Sequence, residues 1–300
     1  MDVATSLRLQ APPCRLSREP GHAEPPRPGA PMSAVSPLAQ PEAWNLVAPE
    51  YVRELMPTFE TFSREALLRA GVAQGTRVVD VATGPGTLAL LAARDGARVT
   101  AVDFSPEMIA ALRGRTAEAK LDVDILEGDG MALPFEANAF DAAFSMFGLM
   151  FFPDRARGFQ ELHRVLKPGG RAVVSSWTPF ERSKELRAVY TRLWEQMGAK
   201  PSQPGAIPLS DPDTCQREMS SAGFTHVTVN EVEGSIDYPS TAAMVDATTR
   251  SSAPVVLARR ALGPQWEPLL WSMHEYAQAE LGPGPQRVTL TAYLTTGTRP

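Results

Sequence analysis

Apolar positions along this chain follow two rhythms. Between residues 41 and 70 they recur every three or four residues: Trp44, Val47, Ala48, Tyr51 and Leu55, then Phe59, Phe62, Ala66 and Leu67. That spacing predicts two amphipathic helices. From residue 78 the pattern changes to short apolar runs closed by an acid, a glycine or a proline. Runs at 78–81 (VVDV), 98–103 (RVTAVD), 122–127 (DVDILE), 140–146 (FDAAFSM) and 171–177 (RAVVSSW) predict strands, with helical stretches between them. Ser105, Pro106 and Glu107 supply an N-cap, a first helical proline and a first-turn acid. A helix from 154 to about 166 is expected to stop at Lys167-Pro168-Gly169-Gly170. Farther on, the pattern predicts helices at 181–197 and 211–222, with Gly223 closing the second, and a Pro-rich loop at 201–208. An alternating strand at 225–238, helices at 241–262 and 265–281, and a last strand at 287–296 complete it. Pro254 must kink or split the first of that last helix pair. Strands alternating with helices predict an α/β fold on a mostly parallel sheet.

The segment VVDVATGPGTLA (78–89) reads as a buried strand, a tight glycine turn and a helix start. Gly84-x-Gly86-x-x-Ala89 is a variant of the dinucleotide fingerprint, and by itself also fits a turn with no ligand. Asp80 changes the picture. A carboxylate at the strand's end faces the crevice where open α/β sheets bind ligands. It would repel a pyrophosphate and attract an amino-acid ammonium, which favours S-adenosylmethionine over a nicotinamide dinucleotide. Asp103 ends the next strand, about 20 residues beyond the turn, where a carboxylate meets ribose hydroxyls in either kind of ligand. After the third strand, Gly128-Asp129-Gly130-Met131 offers an acid for an adenine amino group and a thioether for its face.

The ordered set VVDVATGPGTLA, VTAVDFSPEMI, EGDGMALPF, FDAAFSMFGLMFF and ELHRVLKPGGRAVV resembles the class I S-adenosylmethionine-dependent methyltransferases. It is most similar to their ubiquinone/menaquinone-biosynthesis C-methyltransferase-like group (the methyltransferase type 11 domain), strongly over residues 41–178 and weakly beyond. Ala82 stands where the family usually has the first glycine of its motif. The resemblance implies a Rossmann-like seven-stranded sheet, last strand antiparallel, flanked by helices, with a helical lid inserted between strands six and seven. It implies S-adenosyl-L-methionine as cofactor. Asp80, Ala82, Thr83, Gly84 and Gly86 would surround the methionine portion, and Asp103 and Phe104, with Met108, the ribose side. Asp129, Gly130 and Met131 would surround adenine, and Ser145 would lie near the sulfonium. The domain would run from 41 to 300, divided into an N-terminal cap (41–72), a cofactor-binding core (73–178) and a lid (238–281).

Methyl transfer is an in-line displacement that needs alignment and water exclusion, and, for a phenol, enol or aromatic carbon, a base. His274 and Tyr51 are candidates for that base, with Tyr238 and Asp237 behind them, while His163 reads as structural. Trp44, Tyr51, Met146, Phe147, Met150 and Trp271 are expected to meet a small apolar or aromatic acceptor, with Trp266 nearby. Trp271 and Trp266 are equally compatible with a packed core, given Leu269, Leu270 and Met273 at helical spacing.

With 300 residues and 43% hydrophobic positions, the chain can build one large domain. A net charge of −5 and the lack of a basic stripe argue against a nucleic-acid partner. No apolar run is long enough to span a bilayer. Cys14 and Cys215 cannot make a disulfide framework, and His22, His163, His226 and His274 show no metal-ligand spacing, so no metal is expected. Residues 1–40 hold eight of the 28 prolines without periodicity and are expected to be a disordered tail, with Met32 an alternative start. A cytoplasmic enzyme is expected. The alternatives are a nicotinamide-dependent oxidoreductase, from the shared glycine turn, and a non-catalytic binding module of the same fold.

Overall fold

A computed structural model describes residues 36–198 and 207–300. The Pro-rich stretch 1–35, with Cys14, His22 and Met32, and most of the expected loop at 201–208 lie outside the described residues.

Seven strands form one sheet: β1 (Arg77–Val81), β2 (Arg98–Asp103), β3 (Val123–Glu127), β4 (Phe140–Met146), β5 (Leu166–Trp177), β6 (Thr225–Tyr238) and β7 (Gln286–Thr298). Their order is β3-β2-β1-β4-β5-β7-β6. The first five run parallel, and β7 runs antiparallel to both β5 and β6. The order reverses beside β1, and that reversal opens the crevice at the carboxyl ends of β1 and β4. The central strands are mostly apolar because helices cover both faces: Val78, Val79, Ala142, Ala143, Phe144, Val173 and Val174 are all buried.

The helices before the sheet are α1 (Pro41–Glu54) and α2 (Met56–Ala70). The ladder helices are α3 (Thr87–Arg94), α4 (Pro106–Ala119), α5 (Arg155–Val165), α6 (Lys184–Met197) and α7 (Pro212–Ser221). Between β6 and β7 come α8 (Thr241–Ser251), α9 (Ala253–Leu262) and α10 (Trp266–Leu281). Ser105 caps α4 as its sequence predicts, its Oγ accepting from the Met108 N–H at 3.2 Å. The expected helix 241–262 is two helices broken at Ser252. Pro254 sits in the first turn of α9, where its missing N–H costs nothing.

Three boundaries differ from the sequence reading. β5 begins at Leu166, which is in register with Phe140, and a bulge at 167–170 that includes Gly169 at φ +79° separates that pair from the main ladder at Arg171. The helix expected from 181 starts at Lys184, after Ser183 accepts from the Leu186 N–H, and residues Phe180–Arg182 form a separate 3-10 turn. Within the expected disordered tail, Pro37–Ala39 form a 3-10 turn capped by Ser36. The Leu38 carbonyl accepts from Trp44 Nε1 at 2.9 Å, which ties this strap to α1.

Candidate active site

The crevice holds two adjoining cavities, about 480 and 690 Å3. The smaller lies over the carboxyl ends of β1, β2 and β4. Asp80, Ala82, Thr83, Gly84, Asp103, Phe104, Met108, Asp129, Gly130, Met131, Met146 and Phe147 all line it.

Asp80 is 1% exposed. Its Oδ2 accepts from Thr83 Oγ1 at 2.6 Å, and its Oδ1 is buried with no partner among the described residues. Burial pushes its carboxyl up to about 7, opposed by the Thr83 hydrogen bond and assisted by the nearby charge of Asp103. A buried carboxylate oxygen left open is stabilised by a positively charged donor, which is what an amino-acid ammonium offers. Asp103 clamps the glycine turn: its Oδ2 accepts from Gly84 N–H at 2.7 Å and its Oδ1 from Ser105 N–H at 2.9 Å. Burial still raises it to about 6. The 128–135 loop is pinned from α5, where Glu161 accepts from Leu133 N–H at 2.8 Å and Arg164 donates to the Leu133 and Phe135 carbonyls. Asp129 is more open, and its Oδ1 accepts from Met131 N–H.

Two expected cofactor residues are placed differently. Gly86 is not on the cavity wall. It starts α3 with φ +82°, and a Cβ there would lie 2.2 Å from Leu112, so it permits close packing of α3 on α4. Ser145 is fully buried, and its Oγ accepts from Leu149 N–H beneath the turn after β4. Met146, the next residue of β4, lines the cavity instead, and Phe147, past the strand's end, is turned onto the same wall by its left-handed backbone.

The larger cavity is walled by aromatic rings. Trp177 stacks on Phe147 at 4.0 Å, and Phe147 on Phe59 at 4.9 Å. Phe180, Tyr190 and Trp194 continue the series. Met150 and Tyr238 lie on its wall, and α8 and α9 contribute Thr248, Ser251, Ser252 and Ala253. Trp44, Tyr51, Phe59, Phe147, Phe151 and Phe152 line both cavities, as does the strap through Leu38 and Ala39. Phe147 adopts φ +59°, in the left-handed region a bulky residue avoids, and its N–H is held by Ser175 Oγ at 2.8 Å.

The other expected acceptor or catalytic residues lie elsewhere. Trp271 is 67% exposed on α10. Trp266, on the same helix, is in the core with Leu269, Met273 and Ala277. His274 pairs with Asp246 on α8 at 3.0 Å, outside both cavities. Asp237 is 3.3 Å from Arg287 on the outer edge of the sheet. His163 packs edge-on against Phe224. Trp177, Phe180, Tyr190, Trp194 and Glu181, all absent from the sequence-based set, do line the larger cavity.

Among the described residues Tyr51 has the one side-chain hydroxyl on the wall common to both cavities, and Trp44 Nε1 on that wall is already bonded to Leu38. Burial, reinforced by the charge of Asp103, raises the Tyr51 phenol well above its ordinary value. It therefore stays protonated, as a donor and not a base.

The sequence profile of the family described as "Methyltransferase domain" matches residues 79–174, the span from β1 to β5. The demethylmenaquinone methyltransferase of Thermus thermophilus is 48% identical over 166 residues, covering 50% of this chain and 74% of that one. The chain belongs to the S-adenosylmethionine-dependent methyltransferase family. Its cofactor is S-adenosylmethionine. An uncharacterized protein of Mycobacterium tuberculosis is 43% identical over 110 residues, 37% of this chain and 40% of that one. The chain thus spans about two fifths of the length of the first curated relatives it matches. The YcgJ protein of Bacillus subtilis shares the fold, with a TM-score of 0.54, 18% identity, and coverage of 79% of this chain and 97% of that one. Among the described residues no helix is long and apolar enough to cross a membrane.

Proposed function

We propose that the chain is an enzyme that methylates a small acceptor with an apolar or aromatic body. The observation that carries this reading is the pair of cavities meeting at one wall, the smaller ringed by Asp80, Asp103 and Asp129 and the larger by aromatic rings. Bound S-adenosylmethionine supplies an electrophilic methyl group on sulfur. Asp80 would hold the ammonium, Asp103 the ribose hydroxyls, and the Asp129–Met131 loop the adenine. Phe147, Phe59 and Trp177 would hold a flat acceptor and keep water out. Tyr51, at the junction, would donate its O–H to an acceptor oxygen beside the reacting atom. Among the described residues of the shared wall none offers a base near neutral pH, so a proton that the acceptor must lose would pass to water or to a group off that wall. The Thermus thermophilus relative, whose name specifies demethylmenaquinone, supports an apolar or aromatic acceptor. The expected setting is the cytoplasm.

Calorimetry with S-adenosylhomocysteine and NADH in parallel, with chelator present, tests the reading. Heat with the first and none with the second is expected. Heat with NADH alone would establish the oxidoreductase alternative.

A further inference from the structure

The larger cavity is nearly free of charge. Among the described residues that line it, only Arg155 and Glu181 are of charged type. Arg155 is answered: its Nε and Nη2 donate to the two carboxylate oxygens of Glu218 at 2.9 and 2.7 Å. Glu181 is not. Its Oε1 is shut off from solvent and has no partner among the described residues. Its chain neighbour Arg182 is taken by Glu231, two contacts of 2.8 Å each. The Tyr190 hydroxyl, on the same wall, is bonded to Ser252 Oγ at 3.2 Å. Among the described residues no cation pairs with the Glu181 carboxylate, and an occupant of the cavity that carries one would supply the missing counter-charge.

The position of Glu181 says where on the occupant the donor belongs. Glu181 lies in the 3-10 turn Phe180–Arg182, just beyond β5. The Phe180 ring is 6.3 Å from Trp177, and Trp177 stacks on Phe147, which borders the cofactor cavity. Glu181 thus follows in the chain the ring that lies two aromatic contacts from Phe147 at the junction. Aromatic faces along that path favour a cation over an anion.

We propose that Glu181 is a specificity residue: it receives a cationic amine carried at the end of the acceptor's aromatic body remote from the methylated atom. The proposal rests on the methyltransferase reading above and adds to it the charge and polarity of the acceptor.

Three probes of similar shape test it on the full chain loaded with S-adenosylhomocysteine: 2-naphthylethylammonium, neutral 2-ethylnaphthalene and 2-naphthylacetate. Calorimetry is expected to rank the ammonium at least about tenfold above the neutral probe, with the acetate weakest. Glu181→Gln should bring the ammonium down to the neutral probe. Glu181→Lys should favour the acetate. Melting temperature and S-adenosylhomocysteine affinity should hold in both variants. Equal binding of ammonium and neutral probe, no binding of any probe, or a preference that survives Glu181→Gln would overturn the proposal. So would a marked loss of melting temperature in Glu181→Gln, which would make the residue structural. Failure of S-adenosylhomocysteine itself to bind would instead strike the methyltransferase reading.

Discussion

Single residues in this site carry strain and unpaired charge that the surrounding fold holds in place. Asp80 has a pKa of about 7 against an ordinary value of 3.8, and burial is the main cause. A carboxyl with a raised folded pKa binds more protons folded than unfolded between those values. Its contribution therefore favours the fold most below about pH 4 and fades as pH rises toward 7. Melting temperature of the ligand-free wild type relative to Asp80→Asn should fall across that window. Affinity for S-adenosylhomocysteine should do the opposite, rising with pH through about 7 in the wild type and staying nearly flat above pH 6.5 in Asp80→Asn. A pH-independent difference between the two proteins would show that Asp80 does not titrate there. Ala82 is the second case. It sits at φ +54°, where glycine is usual, and a Cβ at Gly148 would come within 2.3 Å of the Ala82 Cβ. Gly148→Ala should therefore cost roughly 1–3 kcal/mol, as overpacking does. Adding Ala82→Gly should recover a good part of that loss, because it removes the clashing methyl. Additive losses in a denaturation cycle would count against this contact. The glycine motif in the sequence pointed to the turn. The compensation at Gly148 was out of reach, because only the fold brings a residue 66 positions away against Ala82.

At the scale of elements, strands were legible and the acceptor wall was not. β4 and β6 have the bounds their patterns predict, β4 as a short apolar run buried on both faces and β6 as an alternating run at the sheet edge. Tyr190 and Trp194 on α6, four residues apart, look identical in sequence whether they fill a core or line a cavity. Trp271 illustrates the converse. Its helix was placed correctly, yet its side chain points to solvent while Met273 is fully buried. Trp271→Ala should leave stability within about 0.5 kcal/mol and cofactor affinity unchanged. Met273→Ala, on the face packed toward α6 and α8, should cost about 2–5 kcal/mol. Urea unfolding of both variants checks the assignment, and a large loss at Trp271 would reverse it. The strap is a further element the sequence hid, because residues 1–40 read as one Pro-rich, aperiodic tail. Leu38 and Ala39 line both cavities. A chain beginning at Pro41 should bind S-adenosylhomocysteine more weakly than one beginning at Ser36, by at least a few-fold. Equal affinities would reduce the strap to packing alone.

At the scale of the whole molecule, the two cavities share one wall. Phe147 lies on both, pinned at its N–H by Ser175 and stacked on Phe59 and Trp177, whereas Trp177 lines the larger cavity alone. The two rings therefore separate two functions. Trp177→Leu should weaken 2-ethylnaphthalene severalfold and leave S-adenosylhomocysteine within a few-fold, because the Phe147 backbone keeps its Ser175 bond. Phe147→Leu should weaken both ligands. A ligand in the smaller cavity also fixes Phe147 from one side, so the second ligand should find its wall already ordered. Binding free energies are reciprocal: if S-adenosylhomocysteine tightens the naphthalene probe, the probe must tighten S-adenosylhomocysteine by the same factor. At least about fivefold coupling is expected in the wild type, at the lower end of ordinary site-to-site coupling. It should shrink toward onefold in Phe147→Leu and persist in Trp177→Leu. Independent binding in the wild type, or coupling that survives Phe147→Leu, would mean that the shared ring does not transmit between the cavities.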